Sequence, residues 1–253
     1  MKKLFSSFIS LLVTLSFPAF SQDSVDLQML ALTKKCSACV FNNSDFSLKN
    51  LSGFEFQESR FSNVNLNGAN FANAILSLVS FEKGVGQSAD FSNVLAKFND
   101  TPAFKNIDLR GAKFSGADFS GMEALTSIAF DSAKLDGAIF SGAIFQNAVI
   151  LKSTGRGVDF SGAKFEISNQ IYSSDFSESN FSGADLSGIT VAKDSKFVNA
   201  NFESASLRNV DFTGSDLSGA NLKGADLEGA NLSKTNLCNA TGPDGIKLFI
   251  GCD

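Results

Sequence analysis

The sequence predicts an all-β solenoid, a rod of stacked five-residue units. Two observations carry the prediction. Phe or Leu recurs every five residues through most of the chain, and a small residue stands two positions before each. A third supports it: the 253 residues include 27 Phe and 21 Gly but only 3 Pro, one Tyr and no Trp. A period of five fits neither the 3.6 of a helix nor the 2 of a strand. It requires a short extended piece followed by a turn, with one large and one small group pointing inward per unit. A single unit cannot bury its own inner face, so the units must wind and stack.

The chain opens with a targeting signal. Lys2 and Lys3 precede an uncharged run from Leu4 to Phe17, which is short for a membrane span, and Pro18 ends it. Ala19-Phe20-Ser21 places small residues where a signal peptidase cuts, so residues 1–21 read as a secretory signal peptide. The mature chain would then lie outside the cytoplasm, periplasmic or extracellular, with no membrane insertion after cleavage. It would carry 19 basic and 26 acidic residues, a charge of −7. Such a chain has no electrostatic attraction for nucleic acid or an anionic membrane.

Residues 22–38 form the N-terminal cap. Asp23 to Lys35 reads as a helix, N-capped by Asp23 or Ser24, with Asp26 in its first turn and Lys34 and Lys35 at its end. Val25, Met29 and Leu32 share the face expected to cover the first coil.

Residues 39–239 carry the repeat. The clearest stretch sets Phe197, Phe202, Leu207, Phe212, Leu217, Leu222, Leu227, Leu232 and Leu237 five apart. The same spacing runs from Phe41 to Phe81 and returns at Phe104, Leu135, Phe160 and Phe176. Asn or Asp commonly precedes the large residue, and Ser, Lys or Glu and then Gly commonly follow it. These residues resemble the pentapeptide-repeat family, whose pattern is often written A(D/N)LXX. The resemblance implies a right-handed quadrilateral β-helix, with four repeats per square coil and Phe or Leu at the centre of each side. Centres counted from Phe41 to Leu237, one of them assumed between Phe91 and Phe104, give roughly ten coils. At about 4.8 Å per coil the rod is about 45–50 Å long.

The spacing slips between Phe91 and Phe104, Phe119 and Phe130, Phe165 and Phe176, and Leu186 and Phe197, and it is weak at Gly86 and from Ile150 to Val158. With Phe41 on the first side, the count puts Phe46, Leu66, Gly86, Leu109, Phe130, Ile150, Ile171, Val191, Phe212 and Leu232 on the second. Most faults would then cluster at that side, near Gly86, Ser127, Thr154, Ser168 and Lys193. Corner drift explains them, because insertions there cost little. The alternative is an interaction ridge displaying Lys152, Arg156, Tyr172 and Lys193. Glu82 to Ala103 reads as a loop or a bend between two rod segments.

Residues 240–253 form the C-terminal cap. Gly242-Pro243-Asp244-Gly245 is a turn, and Ile246, Leu248, Phe249 and Ile250 are expected to cover the last coil. The four Cys lie at the two ends of the rod, and an unbroken rod keeps those ends too far apart for a disulfide. Cys238 therefore pairs with Cys252. Cys36 and Cys39 either pair with each other or remain buried thiols, because both fall at inward positions.

With no His in the chain, imidazole catalysis and His metal sites are excluded. No catalytic, cofactor or metal site is expected. The leading reading is a non-enzymatic exported scaffold, structural or protein-binding. Two alternatives stand beside it. Some pentapeptide-repeat proteins imitate duplex DNA and act on a topoisomerase, and outward Asp175, Asp185, Asp211, Asp216 and Asp226 fit such a mimic, but export opposes it. A carboxylate-dependent enzyme is the other. Self-association through the rod ends is a further contact that this shape permits.

Overall fold

The computed structural model describes residues 24–97, 103–119 and 127–252. The signal segment and Asp23 lie outside them. A ten-residue helix, Ser24–Thr33, leads into a β-solenoid whose strands are short and pair in parallel.

Each coil has four sides. On the first side, backbone pairing stacks Phe41, Phe61, Phe81, Phe104, Phe130, Ile150, Ile171 and Ala192 in an eight-stranded sheet. On the fourth, a seven-stranded sheet stacks Cys36, Phe56, Leu76, Ala96, Phe119, Phe145 and Phe165. The second and third sides are columns of single parallel bridges, such as Asp45–Asn65–Val85–Asp108 and Asn50–Asn70–Asp90–Lys113. The bridges extend the rod to Asn236 and Thr241.

The large residues fill the centre. On the third side Phe71, Phe91, Phe114, Phe140, Phe160, Phe181 and Phe202 stack face to face with centroids 4.7–5.0 Å apart. That distance is the rise of one strand layer. Rings of the opposite first and third sides meet edge-on across the core, as Phe104 meets Phe114 at 84°. Both arrangements suit the ring quadrupole.

The residue before each centre explains the Asn/Asp preference. The Asn70 and Asp90 side chains each accept the amide two residues ahead, at 2.9 Å. Between coils, Asn221 donates to Asn201 at 3.0 Å and Asn201 to Asn180 at 3.2 Å. Corners take left-handed backbone, as at Asn63 (φ 53°) and Gly53 (φ 69°), which Asn and Gly adopt most readily.

The structure corrects the assignment of sides. Eleven positions separate Phe119 and Phe130, yet they stand on adjacent sides, the fourth and the first. Phe130, Ile150 and Ile171 therefore belong to the first side, and Ala192, rather than Val191, is the next centre in register. Phe212 and Leu232 follow on that side, since Ala192 donates to Asp211 and Asp211 bridges Asn231. All four slips then fall at one corner, between the fourth and first sides: Ala96 to Phe104, Phe119 to Phe130, Phe165 to Ile171, and Leu186 to Ala192. Two leave register shifts in the first-side sheet, next to Ile128 and next to Asn169.

Gly86 and Thr154 are not bulges. Gly86 and Gly155 are second-side centres, and their missing side chains are replaced by neighbours. A Cβ on Gly155 would stand 2.7 Å from the Phe176 ring, and one on Gly86 would stand 3.0 Å from Leu109. Within the stretch Glu82 to Ala103, residues 82–97 keep the coil pairing and are neither a loop nor a bend, and residues 98–102 lie outside the described residues.

The caps also differ from expectation. Leu30 is buried and Leu27 packs on the core, while Leu32 is exposed; the side chains of Val25 and Met29 lie outside the described residues. The Asp26 carboxylate accepts the Val40 amide at 3.2 Å, and this tether turns the Leu27–Leu30 face inward. At the other end only Leu248 packs on the core; Ile246, Phe249 and Ile250 are 64%, 69% and 59% exposed.

Candidate interaction surface

Among the described residues, no group of three or more Cys, Asp or Glu is placed to hold a metal, and no helix is long and apolar enough to cross a membrane. The features open to a partner are the walls, the faulted corner and the ends.

Most walls repeat small polar groups. On the third side Ser92, Ser115, Ser141, Ser161 and Ser182 occupy equivalent outward positions in successive coils, with bridges in register beside them. The outward acidic residues are mostly structural acceptors. Asp175, Asp185, Asp211, Asp216 and Asp226 each accept the amide two residues ahead, at 2.9–3.0 Å. Asn performs the same task elsewhere, so the position demands an acceptor rather than a charge. The second-side column also interleaves signs, running Asp108, Lys134, Thr154, Asp175, Lys196 and Asp216.

Several carboxyls are held below the ordinary range. The Arg110 guanidinium bonds to Asp108 at 2.7 Å and brings its pKa down to about 2, against the opposing effect of burial. The Thr213 hydroxyl is the main cause for Asp211, with Lys193 adding to it. The backbone amide of Glu228 and then Arg208 lower Asp226.

The four residues expected on a ridge divide between two sides. Tyr172 and Lys193 pair in register on the first side, with Leu151 beneath Tyr172. Lys193 is paired with Asp211 at 3.0 Å. Lys152 is exposed at the next corner, and Arg156 stands on the second side, bonded to Glu178 at 2.6 Å. A buried serine ladder underlies Tyr172 and Lys193. Ser174 Oγ donates to the Tyr172 carbonyl at 2.8 Å and Ser195 Oγ to the Lys193 carbonyl at 2.9 Å. Each hydroxyl also accepts an amide from the coil before, Ser153 to Ser174 at 3.2 Å and Ser174 to Ser195 at 3.4 Å. The ladder satisfies buried polar atoms and fixes the outward backbone above it. Sequence reasoning missed Ile167, 53% exposed at the faulted corner. Its signal was present, an apolar residue beside a slip.

Both cysteine pairs are closed. Cys36 and Cys39 are joined, with Cα atoms 5.8 Å apart, and Cys238 and Cys252 are joined, with Cα atoms 4.9 Å apart. No free cysteine is present among the described residues.

The model of the pentapeptide repeats matches this sequence in eight copies, spanning residues 35–71, 44–82, 55–94, 104–123, 125–166, 195–233 and 220–242. The chain belongs to the pentapeptide-repeat family. The stretches left unmatched between copies are 95–103, residue 124 and 167–194, and the last of these takes in a full coil with the register shift beside Asn169. No curated relative matches the sequence. Among solved structures, the chain is similar to HetL, a pentapeptide repeat protein involved in heterocyst differentiation regulation in the cyanobacterium Nostoc sp. strain PCC 7120. The identity is 19%, the TM-score is 0.40, and 88% of this chain and 97% of that chain are covered. It is also similar to full-length QnrB1, a plasmid-mediated fluoroquinolone resistance protein, at 27% identity and a TM-score of 0.26, covering 78% of this chain and 83% of that one. A pentapeptide repeat protein of the Arabidopsis thaliana thylakoid lumen matches at 28% identity and a TM-score of 0.21, covering 46% and 65%.

Proposed function

We propose that this pentapeptide-repeat chain is a non-enzymatic scaffold that works outside the cytoplasm and binds a protein partner through its first side, beside the faulted corner. The observation that carries the location is the state of the cysteines. One pair is closed at each end of the rod. Disulfides persist in oxidising compartments and are rare where glutathione keeps thiols reduced. The apolar segment behind Lys2 and Lys3 agrees with this location.

Uniformity argues for the binding face. Walls that repeat Ser and Asn coil after coil give a partner little by which to choose a position. Tyr172, Lys193 and Ile167 break that sameness, and an aromatic with a polar tip beside an apolar group is a common anchor. The acceptor role of the outward Asp residues and the interleaved Lys disfavour a DNA mimic, which needs an unbroken acidic surface.

Fractionation with N-terminal sequencing tests the location. The expected result is an exported species beginning near Gln22; a cytosolic species that retains Met1 and four free thiols overturns it. Capture from the exported fraction tests the face. Tyr172→Ala with Ile167→Ala should abolish retention of the partner, while Glu203→Ala with Lys223→Ala on the third side should not. The reverse pattern would assign binding to the smooth wall.

A further inference from the structure

The second side ends in a notch beside the C-terminal tail. Val198, Ser218 and Cys238 follow the centres Phe197, Leu217 and Leu237 in successive coils, and the corner beyond them carries Asn199, Gly219 and Asn239. All of these corner residues have left-handed backbone, at φ 57°, 70° and 60°. Gly219 leaves a gap in that column, and the Asn199 side-chain oxygen leans into the place that a Cβ on Gly219 would take. The tail forms the remaining wall. The Cys238–Cys252 disulfide holds it there, and it passes so close that a Cβ on Gly251 would stand 3.3 Å from Asn236 Oδ1. The result is an open cleft of about 470 Å³, within the size range of small-molecule sites. None of the nine residues lining it is charged.

We infer that this cleft binds a neutral sugar, at a site separate from the first-side surface. The polar groups on its walls are not used up by the fold. Of its carboxamide, Asn236 uses only the oxygen, which accepts the Cys238 amide at 3.0 Å, so its NH2 is free to donate. Asn239 uses only its NH2, directed at Cys238 Sγ at 3.5 Å, so its oxygen is free to accept. Asn199 and Ser218 meet through the backbone alone, amide to carbonyl at 2.8 Å, and among the described residues their side chains have no hydrogen-bond partner. Carboxamides and hydroxyls both donate and accept. Their complement is a ligand whose adjacent groups also do both, as the vicinal hydroxyls of a sugar ring do. Val198 and the disulfide supply apolar contact for the C–H face of such a ring. The lack of charge selects against other ligands. A phosphate or carboxylate would find no cation on the walls, and an ammonium no carboxylate, so each would give up hydration with no ion pair in return. Corner geometry explains the left-handed backbone at Asn199 and Asn239. Gly219 meets the same demand without a side chain, so the turn itself does not require the two carboxamides.

Solution NMR of the oxidised chain, titrated with cellobiose, maltose and diacetylchitobiose, tests this. At least one of these sugars is expected to shift the Asn199, Asn236 and Asn239 side-chain NH2 resonances saturably in the millimolar range, together with the Gly219 and Gly251 amides. Asn199→Gly with Asn239→Gly removes both carboxamides at positions whose backbone Gly adopts freely. The circular dichroism should therefore be unchanged while the affinity falls about tenfold or more. Gly219→Asn fills the gap in the column and should block binding; Asn stands at that corner one coil to either side, so the backbone accepts it. Cys238→Ser with Cys252→Ser releases the tail wall and should weaken binding as well. If none of the three sugars moves a resonance of the cleft, or if affinity is unchanged in either corner variant, the inference is overturned.

Discussion

Phe114 offers the sharpest test of the aromatic column. Its ring is fully buried, stacked on Phe91 at 5.0 Å and Phe140 at 4.7 Å, and edge-on to Phe104 at 5.6 Å and Phe130 at 5.8 Å. Phe114→Ala removes that ring from the middle of a stack whose backbone is fixed by hydrogen bonds above and below. Phe114 donates to the Ile139 carbonyl at 2.6 Å, and Gly116 donates to that of Ser141 at 2.9 Å. The site therefore cannot collapse, and the loss belongs at the upper end of the usual Phe-to-Ala range, about 4–5 kcal/mol. The four ring pairs contribute to that figure through their geometry. Leu already serves as a centre at Leu109 and Leu135, so Phe114→Leu should cost only about 1–2 kcal/mol. Urea unfolding followed by circular dichroism measures both, provided the slope is unchanged between variants. Because coils stack in one dimension, a changed slope would mean that the rod breaks into two units at the cavity. A loss below about 1 kcal/mol for Phe114→Ala, or equal losses for both variants, would refute the account of a rigid, close-packed column.

Other consequences follow from local geometry. A Cβ on Gly188 would stand 1.9 Å from the Phe165 carbonyl oxygen, whereas one on Gly142 meets nothing within 4 Å and sits only at a left-handed φ of 65°. Gly188→Ala should therefore shift the backbone and cost more than Gly142→Ala, whose expected loss is about 1–2 kcal/mol in the same urea assay. Asp108 has a pKa lowered to about 2, so its ion pair stabilises the fold above the ordinary carboxylate range and is lost as pH falls toward 2. Acid titration by NMR should find its midpoint well below that of the other carboxyls, and Arg110→Ala should move it up; an unmoved midpoint would reject Arg110 as the cause. Replacing Cys238 and Cys252 by Ser opens a 14-residue loop and should cost at most about 2–4 kcal/mol. Hydrogen exchange should localise the loss to the Leu237 amide and the tail, and uniform loss along the rod would contradict a cap role.

The sequence by itself determined the repeat unit and which residues point inward. Phe71, Leu76, Phe81 and Phe91 are buried centres because one apolar and one small group per five residues leave no other arrangement that hides them. The cysteine pairings at the two ends were legible only in part, since spacing left Cys36 and Cys39 open. Tertiary structure decided the side on which each residue falls. Eleven positions between Phe119 and Phe130 are consistent with a further centre and one extra residue, or with no centre and a surplus at a corner. Spacing alone counts residues, and the hydrogen bonds from Phe104 to Phe130 and Ile150 count coils. That one difference moved every later side by one and gathered the four slips at a single corner. The caps escaped sequence reasoning for a related reason. Each is a single turn or tail with no repeat to fix its phase, so the orientation of Leu30, Leu32 and Phe249 is set by one tether each, Asp26 to Val40 at one end and Cys238 to Cys252 at the other.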